Sequence, residues 1–324
     1  MPTATYDPAT MEAPSVAPPA RPGSVINGLD QIWNDIEKYG LVRNVAELEA
    51  LGFTVIPPEQ AAPPGFADRM LDAVLDHAER SWGVRLDPDG ELPHAAPDGA
   101  PERLDWEVVR GLPRGGNLYN LLRADPVFEQ AIVNPVPLAL VTYLLGYQCI
   151  LSSYQAWFKG PNTKSEPNEF PLHSDGLRVT TAGALVEAAT CQYLLTDQSM
   201  EHGATAFVPG SHRLLRPPVG LEIDERVPVT APKGSVVVWN ANIWHGSFTK
   251  VTPGLRISVV PFFTRPQFRQ FDIGDEPVTE EMLSRNPARF ATLLGTEGPW
   301  SGRAPSVSDN KKVNLAGYQS VFGA

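Results

Sequence analysis

Between residues 149 and 263 the chain is broken into short runs rich in Val, Ile, Phe, Tyr, Thr and Trp, separated by clusters of Gly, Pro, Asn and Asp. Residues of the first kind fit the pleated, half-buried surface of a sheet, and the turn residues between them leave no room for long helices. The predicted strands are 149–158, 188–196, 204–209, 227–230, 235–240 and 256–263. Many short strands with closely spaced turns restrict this part of the chain to a β-sandwich or barrel.

Upstream the period changes to that of helices. Residues 26–39 and 66–82 carry apolar side chains at helical spacing, the second with Met70, Val74 and the His77–Ala78 pair along one side. A third helix is predicted over 44–51, where Asn44 stands in cap position with Glu47 three residues on. Residues 52–56 read as a strand stopped by Pro57 and Pro58, 84–103 as a long Pro/Asp/Gly loop, and 126–133 and 135–145 as two further helices. After the β core, 279–294 reads as one helix, and the segment from 295 is rich in Gly, Pro and Ser. The expected organisation is a disordered leader over 1–25, one domain over 26–295 and an irregular tail over 296–324. Within that domain a helical part (26–148) precedes the core (149–265), and the helix 279–294 follows it.

Several function classes are disfavoured by composition. The net charge is −11 and the longest basic run is Lys311–Lys312, so the basic stripe of a nucleic-acid binder is missing. An apolar share of 42% with 19% charged residues is that of a globular protein. The richest apolar run, 135–147, falls short of the roughly 18 residues that read as a membrane span. The first residues lack a basic segment followed by an apolar one, so a cytoplasmic location is expected. Cys149 and Cys191 have no Cys-x-x-Cys spacing, which argues against a disulfide framework or a zinc site.

The chemistry-bearing residues begin with His173-Ser174-Asp175. On an extended segment, residues two apart share a face, so both side chains can reach one ion. A second His from a distant strand would complete a two-His, one-carboxylate face and leave the opposite positions open, an arrangement suited to iron(II). By itself the spacing is weak, because six histidines give about a one-in-three chance of an accidental His-x-Asp at ordinary abundance. His77-Ala78-Glu79 is such a decoy, since helical residues two apart do not share a face. His245 closes the buried run 234–245, and Arg256 opens the apolar strand that follows. A guanidinium there suits a carboxylate bound inside the barrel, and Ser258 shares its face.

His173-Ser-Asp175, the run 202–213 with Thr205 in Gly-Ala-Thr, Trp244-His245-Gly-Ser247 and Arg256-Ile-Ser258 together resemble the phytanoyl-CoA dioxygenase family over residues 52–264. The resemblance implies a mainly β protein with flanking helices (α+β) built on a double-stranded β-helix, the cupin-like jelly roll. It implies Fe(II), 2-oxoglutarate as cosubstrate and O2, with His173, Asp175 and His245 as metal ligands. Arg256 would meet the distal carboxylate of 2-oxoglutarate, and Thr205, Ser247 and Ser258 would line its pocket. Halogenating relatives carry a small residue where this chain has Asp175, so the resemblance implies hydroxylation, with succinate and CO2 formed. Desaturation, epoxidation and ring formation use the same chemistry, and a non-redox cupin-like ligand binder or metal-dependent isomerase is the alternative from another class.

Other candidates have plainer readings. His212 lies in a turn, His202 precedes Gly203 in a loop and is expected to face solvent, and His94 sits in the 84–103 loop. Along 152–159 both alternating sets mix polar and aromatic residues, so the inward face is open, with Ser153, Tyr154, Gln155 and Trp157 near the barrel mouth. Gln155, Trp157, Phe170 and Arg178 are the substrate-contact candidates, each with core packing or a surface ion pair as its bland alternative. With no basic patch for nucleotide phosphates, a small metabolite or natural-product intermediate is expected rather than an acyl-CoA; neither the sequence nor the resemblance addresses the oligomeric state.

Overall fold

The computed structural model describes residues 27–83, 85–90, 116–162, 168–176, 186–271, 273 and 278–296. Helices α1 (Asn27–Lys38) and α2 (Val42–Leu51) lead through strand β1 (Phe53–Ile56) and the single turn α3 (Pro58–Ala61) to the long helix α4 (Phe66–Trp82). Strand β2 (Gly116–Leu118) precedes helices α5 (Pro126–Ile132) and α6 (Pro135–Leu145). The strands β3 (Ile150–Lys159), β4 (Phe170–His173), β5 (Ala188–Leu194), β6 (Thr205–Phe207), β7 (Val227–Pro228), β8 (Val236–Asn240), β9 (His245–Ser247) and β10 (Arg256–Thr264) follow. Helices α7 (Glu280–Arg285) and α8 (Ala288–Leu293) close the described chain.

Local chemistry sets most of these boundaries. The side chains of Asp125 and Asn134 accept hydrogen bonds from Val127 N and Val136 N, and each is followed by a proline at the first helical position. Three expectations fail here, each for a physical reason. Helix α2 starts at Val42 rather than after Asn44, whose amide donates to Thr54 Oγ1 at 2.9 Å, while that hydroxyl donates to Glu47 Oε2 at 2.6 Å. The two residues that read as a capping box instead tie α2 to β1. The single helix expected over 279–294 is two, because Pro287 forces Asn286 out of helical backbone (ψ 158) and cannot donate from its own nitrogen. Strand β4 lies outside the strands predicted from the sequence, because its partner β9 and not its own composition holds it extended.

Among the described residues the strands form two antiparallel sheets, one six-stranded in the order β1-β8-β5-β10-β3-β2 and one four-stranded in the order β4-β9-β6-β7. This is the jelly-roll architecture, mainly β with helices on one side. Alternation along the large sheet assigns its faces. Tyr154, Ala156, Phe158, Cys191, Tyr193, Val236 and Val238 point to the helices and join their apolar side chains in the main core. Tyr154 and Tyr193 add hydroxyl bonds to Phe128 O and Ala131 O of α5, at 3.1 and 2.7 Å. Leu194, Val237, Trp239 and Val260 point the other way and pack with Phe207 of the small sheet. The parity settles the open question on β3, where Ser153, Gln155, Trp157 and Lys159 face the interior between the sheets and Tyr154 does not.

Among the described residues no single helix is long and apolar enough to cross a membrane. Helices α5 and α6 pass such a test only as a pair bent by 47°. Their apolar residues Phe128, Ile132, Leu140 and Val141 are fully buried in the core, where the sheet already covers them.

Candidate metal centre and cavity

The site is built on the pairing of β4 with β9. Phe170 stands opposite Ser247 and His173 opposite His245, with a register shift between them. Without that shift Leu172 would face His245, so a one-residue bulge turns His173 to the same side as its partner. The two imidazoles then lie with centroids 4.2 Å apart. The strands also approach closely, because a Cβ on Gly246 would overlap the carbonyl oxygen of Phe170. Gly246→Ala is therefore expected to push β4 away at a cost of about 1–3 kcal/mol, lowering the melting temperature and weakening metal binding together. Unchanged affinity in a metal titration would show that this approach does not set the imidazole pair.

Asp175 completes the cluster. His173 Nε2 lies 3.3 Å from Asp175 Oδ1 and His245 Nε2 lies 3.2 Å from Oδ2. One ligand atom from each of the three residues falls within 4.8 Å of the others. On the far side of each ring, His173 Nδ1 lies 3.0 Å from Pro171 O and His245 Nδ1 lies 3.1 Å from Ile243 O. A carbonyl can only accept, so each Nδ1 carries a proton and Nε2 is the ring atom left to face the cluster, as a donor to Asp175 without a metal and as the lone pair that a bound metal would take. Ser174, between the ligands, points away and donates to Ala241 O at 3.1 Å, and Gly176 N donates to the same oxygen at 2.8 Å. The His-x-Asp segment is thus tied to the turn that delivers His245. Burial works to raise the Asp175 carboxyl, but the charges and hydrogen bonds of His245 and His173 outweigh it and hold the group well below the usual carboxylate range. Two imidazole nitrogens and a carboxylate on one side suit a divalent first-row metal, iron(II) among them. Phe170, edge-on to His173 at 4.6 Å, and Trp239, 5.5 Å from His245, hold the rings in place.

A cavity of about 240 Å³ opens in front of these ligands. At one end lie Arg256, Ser247 and Thr205, which the sequence placed together. Arg256 is buried, donates from one guanidinium nitrogen to Gly203 O at 2.5 Å, and leaves its buried Nε without a partner among the described residues. Burial pushes its pKa down to about 10, so it stays charged at neutral pH. A guanidinium lining a cavity with a donor to spare fits a carboxylate ligand. Thr205 donates to Gln192 Oε1 at 2.9 Å. Ser258 does not line the cavity: it shares the Arg256 face, but its hydroxyl is bound by Gln192 and Gln198 at 3.0 and 3.3 Å, one layer beneath.

The opposite walls carry Trp157, Phe170, Val260, Phe262 and Phe271, with Ser153, Gln155 and Thr190 as the polar members. Gln155 is already engaged by Asn117 at 3.1 Å, by Trp157 Nε1 at 3.2 Å and with Ser153 at 2.8 Å. Phe271 is 68% exposed at the rim and stacks on Phe262. Arg178 and His94 lie outside the described residues. His202 is not solvent-facing as expected: its Nδ1 lies 2.7 Å from Thr252 Oγ1, because an isolated bridge to Lys250 draws it in. His212 packs its ring against Gly52 (φ +90), and His77 meets Tyr119 O at 2.8 Å; both are remote from the cavity. The sequence reading missed Lys159, Gln192, Thr190, Phe262 and Phe271. Lys159 had a visible signal, as a lysine ending an apolar strand just as Arg256 begins one.

The family model described as phytanoyl-CoA dioxygenase matches residues 52–258. A protein of Aspergillus fumigatus (strain ATCC MYA-4609 / CBS 101355 / FGSC A1100 / Af293), named dioxygenase af480, is 30% identical over 234 residues, covering 69% of this chain and 72% of that protein. Two solved structures share the fold. HygX from Streptomyces hygroscopicus with nickel and 2-oxoglutarate bound is 19% identical with a TM-score of 0.52, covering 71% of this chain and 89% of that one. EctD from S. alaskensis with bound Fe is 19% identical with a TM-score of 0.52, covering 73% and 81%.

Proposed function

Because the chain belongs to the phytanoyl-CoA dioxygenase family, we propose that it is an oxygenase that hydroxylates an unactivated C–H bond of a small metabolite or natural-product intermediate. Ferrous iron, 2-oxoglutarate and dioxygen are its cofactor and cosubstrates. The observation that carries this reading is the convergence of His173, Asp175 and His245 within 4.8 Å, each imidazole fixed by a backbone carbonyl. Bound iron supplies the coupling of oxidative decarboxylation of the keto acid, to succinate and CO2, with oxidation of the substrate.

In this reading the Nε2 atoms of His173 and His245 and an oxygen of Asp175 would hold the metal. The cavity that these residues line would admit the cosubstrate and oxygen. Arg256 holds the distal carboxylate of 2-oxoglutarate with charge-assisted hydrogen bonds, and Thr205 and Ser247 border the same end. Trp157, Phe170, Phe262 and Phe271 exclude water and place the reacting C–H bond, and Gln155 offers the substrate a polar contact. Asp175 supplies a carboxylate where halogenating relatives carry a small residue, which supports hydroxylation over halogenation. No separate general base is needed, and none is assigned.

The test uses 2-oxoglutarate itself. Adding it to the iron(II) protein without oxygen is expected to give a visible charge-transfer band. Admitting oxygen with ascorbate is then expected to form succinate only when iron is present. Equal 2-oxoglutarate binding with and without metal, and no succinate, would instead support a non-redox ligand binder.

A further inference from the structure

Two buried basic side chains stand side by side next to the cavity. In the pairing of β10 with β3, Arg256 lies directly opposite Lys159, and both are buried. Like charges opposite one another on adjacent strands repel, and more so away from water. Lys250 is a third buried basic residue whose charge bears on Lys159, while Glu169, the carboxylate that offsets it among the described residues, is engaged by Arg226 at 2.9 Å. An anion before Arg256 would offset part of that positive charge.

Lys159 also dictates what Ser247 can do. Its Nζ donates to Ser247 Oγ at 2.8 Å and to Phe248 O at 2.5 Å. The same Ser247 oxygen accepts from Phe170 N at 2.9 Å. A hydroxyl has two lone pairs and one proton, and here both lone pairs are taken. Ser247 is left with only its O–H to offer, and it borders the same cavity as Arg256.

We propose that Lys159 is a positioning residue, which turns Ser247 into a dedicated hydrogen-bond donor to the distal carboxylate of the cosubstrate and so makes the site select a dicarboxylic keto acid over a monocarboxylic one. The proposal rests on the reading of Arg256 as the partner of that carboxylate. An anion there also favours the charged form of Lys159, whose desolvation and repulsion by Arg256 push its pKa down to about 6. In the charged form Nζ can only donate, which preserves the direction of the chain of bonds from Lys159 through Ser247.

The experiment compares 2-oxoglutarate with 2-oxopentanoate, which has the same carbon chain without the distal carboxylate. Binding of each to the iron(II) protein is followed anaerobically by the charge-transfer band, for wild type, Lys159→Met, Ser247→Ala and the double variant. Lys159→Met is expected to weaken 2-oxoglutarate about 10-fold, as for loss of one hydrogen bond to a charged group, and to leave 2-oxopentanoate within about twofold. If the two residues act as one unit, the double variant is no weaker than Ser247→Ala. Equal weakening of both keto acids, an unchanged ratio, or effects that multiply in the double variant would overturn the proposal. A wild type that binds both acids alike would overturn the reading of Arg256 beneath it. Should Lys159→Met fail to fold, Lys159→Gln, polar but too short to reach Ser247, takes its place with the same expected ratio.

Discussion

Asp175→Ala is expected to weaken iron(II) binding by more than about 100-fold and to abolish 2-oxoglutarate-dependent succinate formation. Loss of a partner one shell beyond the metal already costs 10- to 100-fold in affinity, so loss of a direct ligand exceeds that. The variant should fold normally, because the Asp175 side chain is 32% exposed and has no part in the apolar core. Without the carboxylate the two imidazoles still sit 4.2 Å apart, but the negative charge that favours a divalent ion between them is gone. Iron titration, succinate assay and a melting curve separate the cases. Retained turnover at wild-type rate would remove Asp175 from the metal's ligands.

Arg256→Met is expected to act on the cosubstrate alone. Hydrogen bonds to charged groups contribute about 1.5–3 kcal/mol each, so two to the distal carboxylate correspond to roughly 100-fold or more in the dissociation constant of 2-oxoglutarate. Iron affinity should stay within a few-fold, since the guanidinium touches none of the three ligands. The iron-free variant should melt no lower than wild type, because it replaces a buried cation by an apolar chain and relieves repulsion with Lys159. An unchanged cosubstrate affinity would displace Arg256 from the pocket. A large fall in melting temperature would mean that its bond to Gly203 O matters chiefly for folding.

Much of this arrangement was legible in the residues, for reasons that differ from part to part. His173 and Asp175 could be paired because a period of two is fixed by extended backbone, and His245 and Arg256 because each adjoins a strongly apolar run. Ser258 was placed in the pocket by the same parity, which is right about the face and wrong about the depth. Gln192 and Gln198 reach across from other segments and take up its hydroxyl, and nothing in the local sequence records that. The Asn44 to Glu47 pattern misled for a similar reason, since Thr54 on β1 competes for both side chains. The break at Pro287 was local and readable, whereas strand β4 was not, because it is held by β9 rather than by its own β propensity. The inward face of β3 became clear only once the helices were seen to cover Tyr154 and Phe158.

The measurement that bears most directly on the account is anomalous diffraction at the iron edge, from crystals grown without oxygen in the presence of iron(II) and 2-oxoglutarate. A single peak per chain is predicted, bounded by the Nε2 atoms of His173 and His245 and an oxygen of Asp175. Density for the keto acid should run from it to the guanidinium of Arg256. An iron peak elsewhere, or side chains of these three residues directed away from it, would contradict the account.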